Sequence, residues 1–225
     1  MKPAEFVKRV SETLHKNANA KNAKAMEKYL LDQFPFIGLK KPERAALCKP
    51  LFAELKPFIT EKWILEAAAL LWAKKEREFH YVALDLFEKN RKLITPKSFK
   101  ALEKMIITNS WWDSVDSISS YAIAPLVLNY PKMKKEMKRF ADHKNMWLNR
   151  VAIIHQILYK ERTDAEFLYK VCAQHMHRNE FFIRKAIGWA LRQYAKTNTK
   201  EVYAFVEKNK HKLSGLSYRE ALKHK

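Results

Sequence analysis

Glycine is nearly missing from this chain of 225 residues: Gly38, Gly188 and Gly215 are the only three. A glycine-rich phosphate loop, a dinucleotide-binding turn and a hairpin-rich β fold all need more, because their backbones visit positive φ repeatedly. Cysteine is scarcer still. Cys48 and Cys172 form no CxxC or zinc spacing, so two reduced thiols in a cytoplasmic protein are expected. The opening residues, MKPAEFVKRV, carry no apolar signal core, and no apolar run approaches the ~20 residues that cross a bilayer. A soluble, intracellular protein with no membrane association is the expectation. No GxSxG, HExxH or Walker pattern occurs.

Acidic residues are also few. Lys and Arg number 44 against 24 Asp and Glu, a formal net charge of +20. The cations are spread over the whole chain rather than gathered in a tail. A folded surface this positive repels itself unless it meets a polyanion, which puts nucleic acid first and an anionic membrane second.

What is abundant is helix-forming material. At 48% hydrophobic the chain can build a core, and Ala, Leu, Lys and Glu dominate it. Short punctuation separates one helical pattern from the next, and no stretch reads as a convincing strand. Pro3, Pro42, Pro96 and Pro131 stand where helices can start, and Thr95, Thr163 and Thr199 read as N-caps. Helices of about 10–18 residues with short connections predict an all-α protein.

A repeat sharpens that expectation. Ala46, Ala83, Ser117, Ala152, Ala186 and Ala221 recur 34 to 37 residues apart, each in the middle of every second helix. Two residues before them stand Arg44, Tyr81, Val115, Arg150, Arg184 and Arg219. Aromatic or large residues (Phe79, Trp112, Trp147, Phe182, Leu216) come four or five before. A two-helix unit of this length predicts an α-solenoid of the HEAT or armadillo sort, about six HEAT-like repeats in a single domain over 1–225. The small residue marks where helices approach closely. Arg in four of six units reads as a basic stripe along one surface, suited to phosphates by its planar fork.

The stretch Ser110-Trp111-Trp112-Asp113-Ser114-Val115-Asp116-Ser117-Ile118 carries the candidate chemistry. At 100° per residue, Trp111, Val115, Ile118 and Ala122 share a core face, while Trp112 and Asp116 stack one turn apart on another side. A ring beside a carboxylate holds a cation by quadrupole and charge together, although packing plus a surface ion pair explains the same two residues. A helix from Asn179 to about Lys196 has Ile183, Ala186, Ile187, Ala190, Leu191 and Tyr194 on its apolar face. Lys185, Trp189, Arg192 and Lys196 lie opposite. A large aromatic among cations is expected where a nucleic acid lies. In the repeat register Trp112, Asp116 and Trp189 step by four, so they converge if the solenoid is concave there. Trp147 shares the register of Trp112, yet its own periodicity reads as core. His175 and His177 are two apart and point to different sides, which disfavours a metal pair.

Several of these stretches resemble one family. SWWDSVDSI at 110–118, NMWLNRVAI at 145–153 and FFIRKAIGWALRQYAKTN at 181–198 are similar to the AlkD-type DNA glycosylases of the bacterial alkylation-repair family. GLKKPER at 38–44, EREF at 76–79 and LSYREALKH at 216–224 add to the resemblance, which runs in order over essentially the whole chain. It implies a HEAT-like solenoid whose basic concave face wraps duplex DNA. It also implies hydrolysis of the N-glycosidic bond of cationic alkylpurines such as N3-methyladenine and N7-methylguanine, without the base flipping usual for base chemistry. The family's functional Trp-Asp-Arg-Trp set matches Trp112, Asp116, Arg150 and Trp189, and its DNA-contacting tyrosine matches Tyr29.

On that reading Asp116 stabilises the developing positive sugar and orients water, with Trp112 and Trp189 flanking the deoxyribose. Arg150 clamps a phosphate, and Arg44, Arg184, Arg192, Arg219 and Lys196 supply sequence-independent affinity. No metal or cofactor is expected. The partner is double-stranded DNA with alkylated bases, bound by a monomer with no obligate protein partner. The competing class is a non-catalytic DNA- or RNA-binding architectural repeat protein, which charge and repeats fit equally well.

Overall fold

The computed structural model describes residues 1–223. His224, which ends the 216–224 stretch, lies outside the described residues. Among those residues the secondary structure is helical, with no strand, and no helix is long and apolar enough to cross a membrane. The chain divides into two compact units, Met1–Ala101 and the described residues from Leu102 onward.

The first unit contains α1 (Pro3–Lys16), α2 (Ala20–Tyr29), α3 (Lys41–Leu55), α4 (Glu61–Trp72) and α5 (Arg77–Lys89). Pro3 opens α1, where its missing N–H has no intrahelical partner to lose. Phe6, Val7, Val10 and Leu14 then repeat at helical spacing, and all four are buried. That apolar face packs on α3 and α4, and α4 packs on α5. Thr60 caps α4 by accepting from the Trp63 amide at 3.2 Å. The segment before α3 has no helix, so its amides need another partner. Buried Glu78 on α5 accepts from the amides of Ile37, Gly38 and Leu39 at 3.0, 2.8 and 3.0 Å. Gly38 takes φ +98°, a conformation open to glycine and strained for other residues.

α6 (Phe99–Ile107) crosses the boundary in sequence. The second unit contains α7 (Trp112–Ile118), α8 (Ala124–Asn129), α9 (Lys134–Ala141), α10 (Met146–Ile154), α11 (Ala165–His175), α12 (Phe181–Ala195), α13 (Thr199–Lys208) and α14 (Gly215–Ala221). Here the repeat is plain. α7, α10, α12 and α14 pack successively on one another, while α9 lies on α10, and α11 and α13 on α12. Ala152, Ala186 and Ala221 are buried along this row, as the 34–37-residue register requires. Together these features make the chain an all-α protein of the α-solenoid class.

The repeat is less regular before Leu102. Ala83 is buried on α5, but Ala46 is exposed on α3 and marks no close approach. Two caps also stand one residue from their expected places. Asp164 accepts from the Phe167 amide at 3.1 Å and Asn198 from the Glu201 amide at 3.3 Å, in place of Thr163 and Thr199. Their planar carbonyl groups reach the third amide, while the Thr199 hydroxyl donates back to the Ala195 carbonyl at 2.8 Å. Thr95 does cap, accepting from Lys97 at 3.3 Å.

One irregularity follows the Trp112 helix. Residues Ser119–Ile123 form a π turn that runs without a break into α8. Pro125 sits in the first turn of α8 and has no N–H to return to Tyr121, and its ring would crowd that carbonyl. Widening the turn relieves both, so the chain bends instead of ending its helix.

Gly188 is the tightest point of the row. A Cβ built there would lie 2.8 Å from the Ser217 carbonyl oxygen and closer still to the Glu220 Cβ. Alanine is worth about 1 kcal/mol over glycine in an open helix. Here that gain is outweighed by overpacking against backbone, which costs about 1–3 kcal/mol. Gly188→Ala is therefore expected to lower stability. A urea midpoint equal to or above that of the parent protein overturns this account of the α12–α14 contact.

Candidate active site

The second unit holds an open cavity of about 270 Å³ lined by Trp112, Asp116, Arg150, Phe181, Phe182, Lys185, Trp189 and Arg192. Four of these residues, Trp112, Asp116, Arg150 and Trp189, are the set singled out in the sequence. Trp112 and Asp116 come from α7, one turn apart. Arg150 comes from α10, and Trp189 from the middle of α12. Of the core face expected around the 110–118 stretch, Val115, Ile118 and Ala122 are buried and Trp111 is partly buried.

At the centre is a two-pronged ion pair. Arg150 Nε donates to Asp116 Oδ1 at 2.7 Å and Nη2 donates to Oδ2 at 2.8 Å. The third nitrogen, Nη1, donates to the Phe182 carbonyl at 2.5 Å. The Arg150 side chain is 4% exposed and that of Asp116 is 18% exposed. A buried guanidinium is stable here because each nitrogen meets an oxygen. Burial pushes the Asp116 carboxyl above its ordinary range, and the Arg150 guanidinium pulls the other way. The carboxylate is thus oriented by one partner while keeping an edge on the cavity.

Arg150 is thus oriented by Asp116 and a carbonyl; these bonds use three of its five N–H groups, and it still lines the cavity. Arg44 departs from the expected exposed stripe. It is buried, lies 4.8 Å from the centre of the Tyr81 ring, and pairs with Asp85 at 3.5 Å, so it forms no exposed stripe. The two burials share a cause. The position two before the small residue faces the neighbouring repeat, where a long cation is covered and finds a carboxylate. Arg184 folds back onto the turn before α12, donating to the Arg178 carbonyl at 3.0 Å and to the Asn179 side chain. Arg192 is half-buried and pairs with Glu220 on α14, while still lining the cavity. Arg219 and Lys196 are exposed. Tyr29, at the end of α2, is 71% exposed.

Behind the cavity wall lies an aromatic cluster. Phe182 packs edge-on to Trp111 at 5.1 Å between centroids and tilted against Trp147 at 5.1 Å. Trp147 is buried, as its own periodicity indicates, and does not join the cavity. Phe181 does, and it is 58% exposed. Phe181 is missing from the set singled out in the sequence. The signal is present, since residues 181, 185, 189 and 192 fall on one stripe of α12, but the basic character that marks the stripe starts only at Lys185. Glu220 is missing too, because its partners lie on another helix.

Histidine, cysteine and carboxylate side chains form no group of three or more placed to hold a metal ion among the described residues. His175 is buried, and burial lowers its pKa. The site offers an ionisable carboxylate held by an arginine, aromatic walls that attract positive charge, and two further cations.

A helical repeat protein with an arginine-braced carboxylate between tryptophans is the class that fold and cavity define. The family model for DNA alkylation repair enzymes matches residues 10–224. A solved structure, the predicted DNA alkylation repair enzyme from Enterococcus faecalis, is 35% identical with a TM-score of 0.85. The similarity covers 92% of this chain and 96% of that one. No curated protein matches significantly. The chain belongs to the DNA alkylation repair enzyme family.

Removing Arg150 leaves Asp116 half-desolvated with no counter-charge. Arg150→Met is expected to cost about 3 kcal/mol, at the low end for stripping one partner from a buried pair because Asp116 keeps some solvent contact. Chemical denaturation measures this. A loss under about 1 kcal/mol, the scale of an exposed pair, refutes the bracing role.

Proposed function

We propose that this chain is a DNA glycosylase that hydrolyses the N-glycosidic bond of cationic alkylpurines, such as N3-methyladenine and N7-methylguanine, in duplex DNA. The observation that carries this reading is Asp116, a carboxylate fixed by Arg150 at the edge of an open cavity walled by Trp112 and Trp189.

The chemistry suits that arrangement. An alkylated purine already carries positive charge, so it needs no general acid to depart. The C1′–N bond breaks with its electron pair going to the base, which leaves neutral. Positive charge then develops on the sugar. Asp116 stabilises that charge, and the tryptophan faces add to it as it grows. Water adds at C1′, and its proton passes to Asp116 or to solvent. The cavity is lined by aromatic rings, cations and one carboxylate already bound to arginine. By resemblance to the family, the lesion is taken to stay in the duplex while the sugar meets the cavity, in contrast to the flipping usual for base chemistry. The net charge of +20 supplies the capture of duplex DNA.

The test is release of free N7-methylguanine from methylated duplex DNA in single-turnover conditions. Asp116→Asn is expected to lower the rate by about two to four decades, the scale set by losing one electrostatic stabiliser, with duplex binding retained. An unchanged rate removes Asp116 from the chemistry. Tight, salt-sensitive binding with no release by the parent protein favours the second reading, a non-catalytic DNA- or RNA-binding repeat protein, for which the charge alone speaks.

The pH dependence has a defined sign. The carboxylate is the working form, and burial raises its pKa. Excision is therefore expected to fall as pH drops through a value above that of an ordinary aspartate, and to be level above it. The Asp116→Asn substitution removes this acid limb. A rate that rises toward acid pH contradicts the assigned protonation state.

A further inference from the structure

A second carboxylate meets the cavity's cations from behind. Glu220, on α14, accepts from Lys185 Nζ at 2.7 Å and also pairs with Arg192. Lys185 and Arg192 sit seven residues apart on α12, one on each side of Trp189, and all three line the cavity. We propose that Glu220 is a positioning residue for this site: it holds Lys185 and Arg192 at a fixed spacing from which they grip the strand phosphates beside the reacting sugar. The proposal rests on the glycosylase reading given above.

Three observations support it. First, Arg150 spends its forked edge on Asp116 and Nη1 on the Phe182 carbonyl, while Lys185 and Arg192 are two further cations that line the same cavity. Both side chains are long and rotamer-rich. One carboxylate shared between them orders both before DNA arrives.

Second, the position of Glu220 is set by backbone contact rather than by the ion pairs themselves. The missing side chain of Gly188 lets α14 lie directly on α12. Ser217 donates from its hydroxyl to the Arg184 carbonyl at 2.8 Å, Ser214 caps the helix by accepting from the Ser217 amide at 3.0 Å, and Ala221 is buried. α14 thus has docking contacts besides the Glu220 carboxylate, whose side chain is only 13% exposed.

Third, the sign of the charge is wrong for affinity alone. A carboxylate beside a polyanion's landing site weakens capture. Lys185, first, and Arg192 hold it below the ordinary glutamate range against the opposing pull of burial, so it stays ionised at neutral pH. Lysine has three N–H donors and arginine five, so one carboxylate leaves each cation with donors for a phosphate.

The test separates rate from affinity. In Glu220→Gln the single-turnover excision rate at saturating methylated duplex is expected to fall about 10-fold. Affinity for undamaged duplex should hold or rise, with a steeper salt dependence as two cations lose their internal anion. A brace of the fold alone would lower both together, or neither. In protein labelled with 5-fluorotryptophan, the ¹⁹F resonance of Trp189, assigned with Trp189→Phe, is expected to shift while that of Trp147 stays. A Glu220→Gln rate within twofold of the parent, with the fold intact, overturns the proposal. Glu220→Asp keeps the charge and shortens the reach by one methylene. It is expected to lose about threefold in rate at unchanged affinity, and a parental rate there overturns the proposal even if the glutamine variant does not fold. Failure of the parent protein to release any base is a separate result, which removes the glycosylase reading itself.

Discussion

The second unit depends on one guanidinium finding three oxygens. Arg150 rises from α10, takes both oxygens of Asp116 on α7, and gives its remaining nitrogen to a carbonyl in the first turn of α12. Three helices of successive repeats are tied at one point. Lysine could not replace it, since a single ammonium lacks the fork that matches a carboxylate and still reaches a third acceptor. Burial makes the pair costly unless every donor is satisfied, and full satisfaction is what fixes the rotamers. The orientation of Asp116 and the spacing of α7, α10 and α12 are therefore one fact seen from two sides.

That constraint works only because the row of helices is packed closely. Ala152, Ala186 and Ala221 remove side-chain bulk where neighbouring helices meet, and Gly188 removes the last methyl under α14. Close packing brings functional side chains from different repeats within reach of one another, at a fixed register. The π turn at Ser119–Ile123 belongs to the same logic. It lets one continuous helical segment carry Trp112 and Asp116 at its start and still bend around Pro125 into α8. Small residues and one proline thus set where the cavity-lining side chains stand.

Much of this is legible in the chain because it follows from periodicity. The 34–37-residue spacing reveals the repeat, and the four-residue steps linking Trp112, Asp116 and Trp189 anticipate their convergence. Charge pairing is less legible. Arg44 and Arg150 read as members of an exposed row, yet both are buried against Asp85 and Asp116. A sequence shows that an arginine recurs, but whether its neighbour across the interface is a carboxylate or water depends on the tertiary contact. Glu220 is hidden for the same reason, lying 28 residues from Arg192 and 35 from Lys185. Phe181 is a different case: it lies on the right stripe, one turn before the first cation that draws attention to it. Ala46 shows the limit of the repeat itself, since a small residue in register marks a close approach only where another helix covers it.

The chain separates two uses of charge. Most of its excess of +20 is spread along the surface, where lysine and arginine attract a polyanion over a distance and release counterions on contact. At the cavity the balance is close to even: its three lining cations meet two carboxylates, Asp116 in the lining and Glu220 behind it. Free charges of one sign would bind phosphate strongly but point nowhere in particular. Paired charges bind less and stay in place, and catalysis by electrostatics depends on dipoles and charges that need no rearrangement when the transition state forms. On the reading proposed above, Asp116 and Glu220, whose sign works against DNA binding, turn a generally positive surface into a site with a direction. A net-charge count reads the surface and misses the cavity, because in the cavity the information lies in which opposite charges touch.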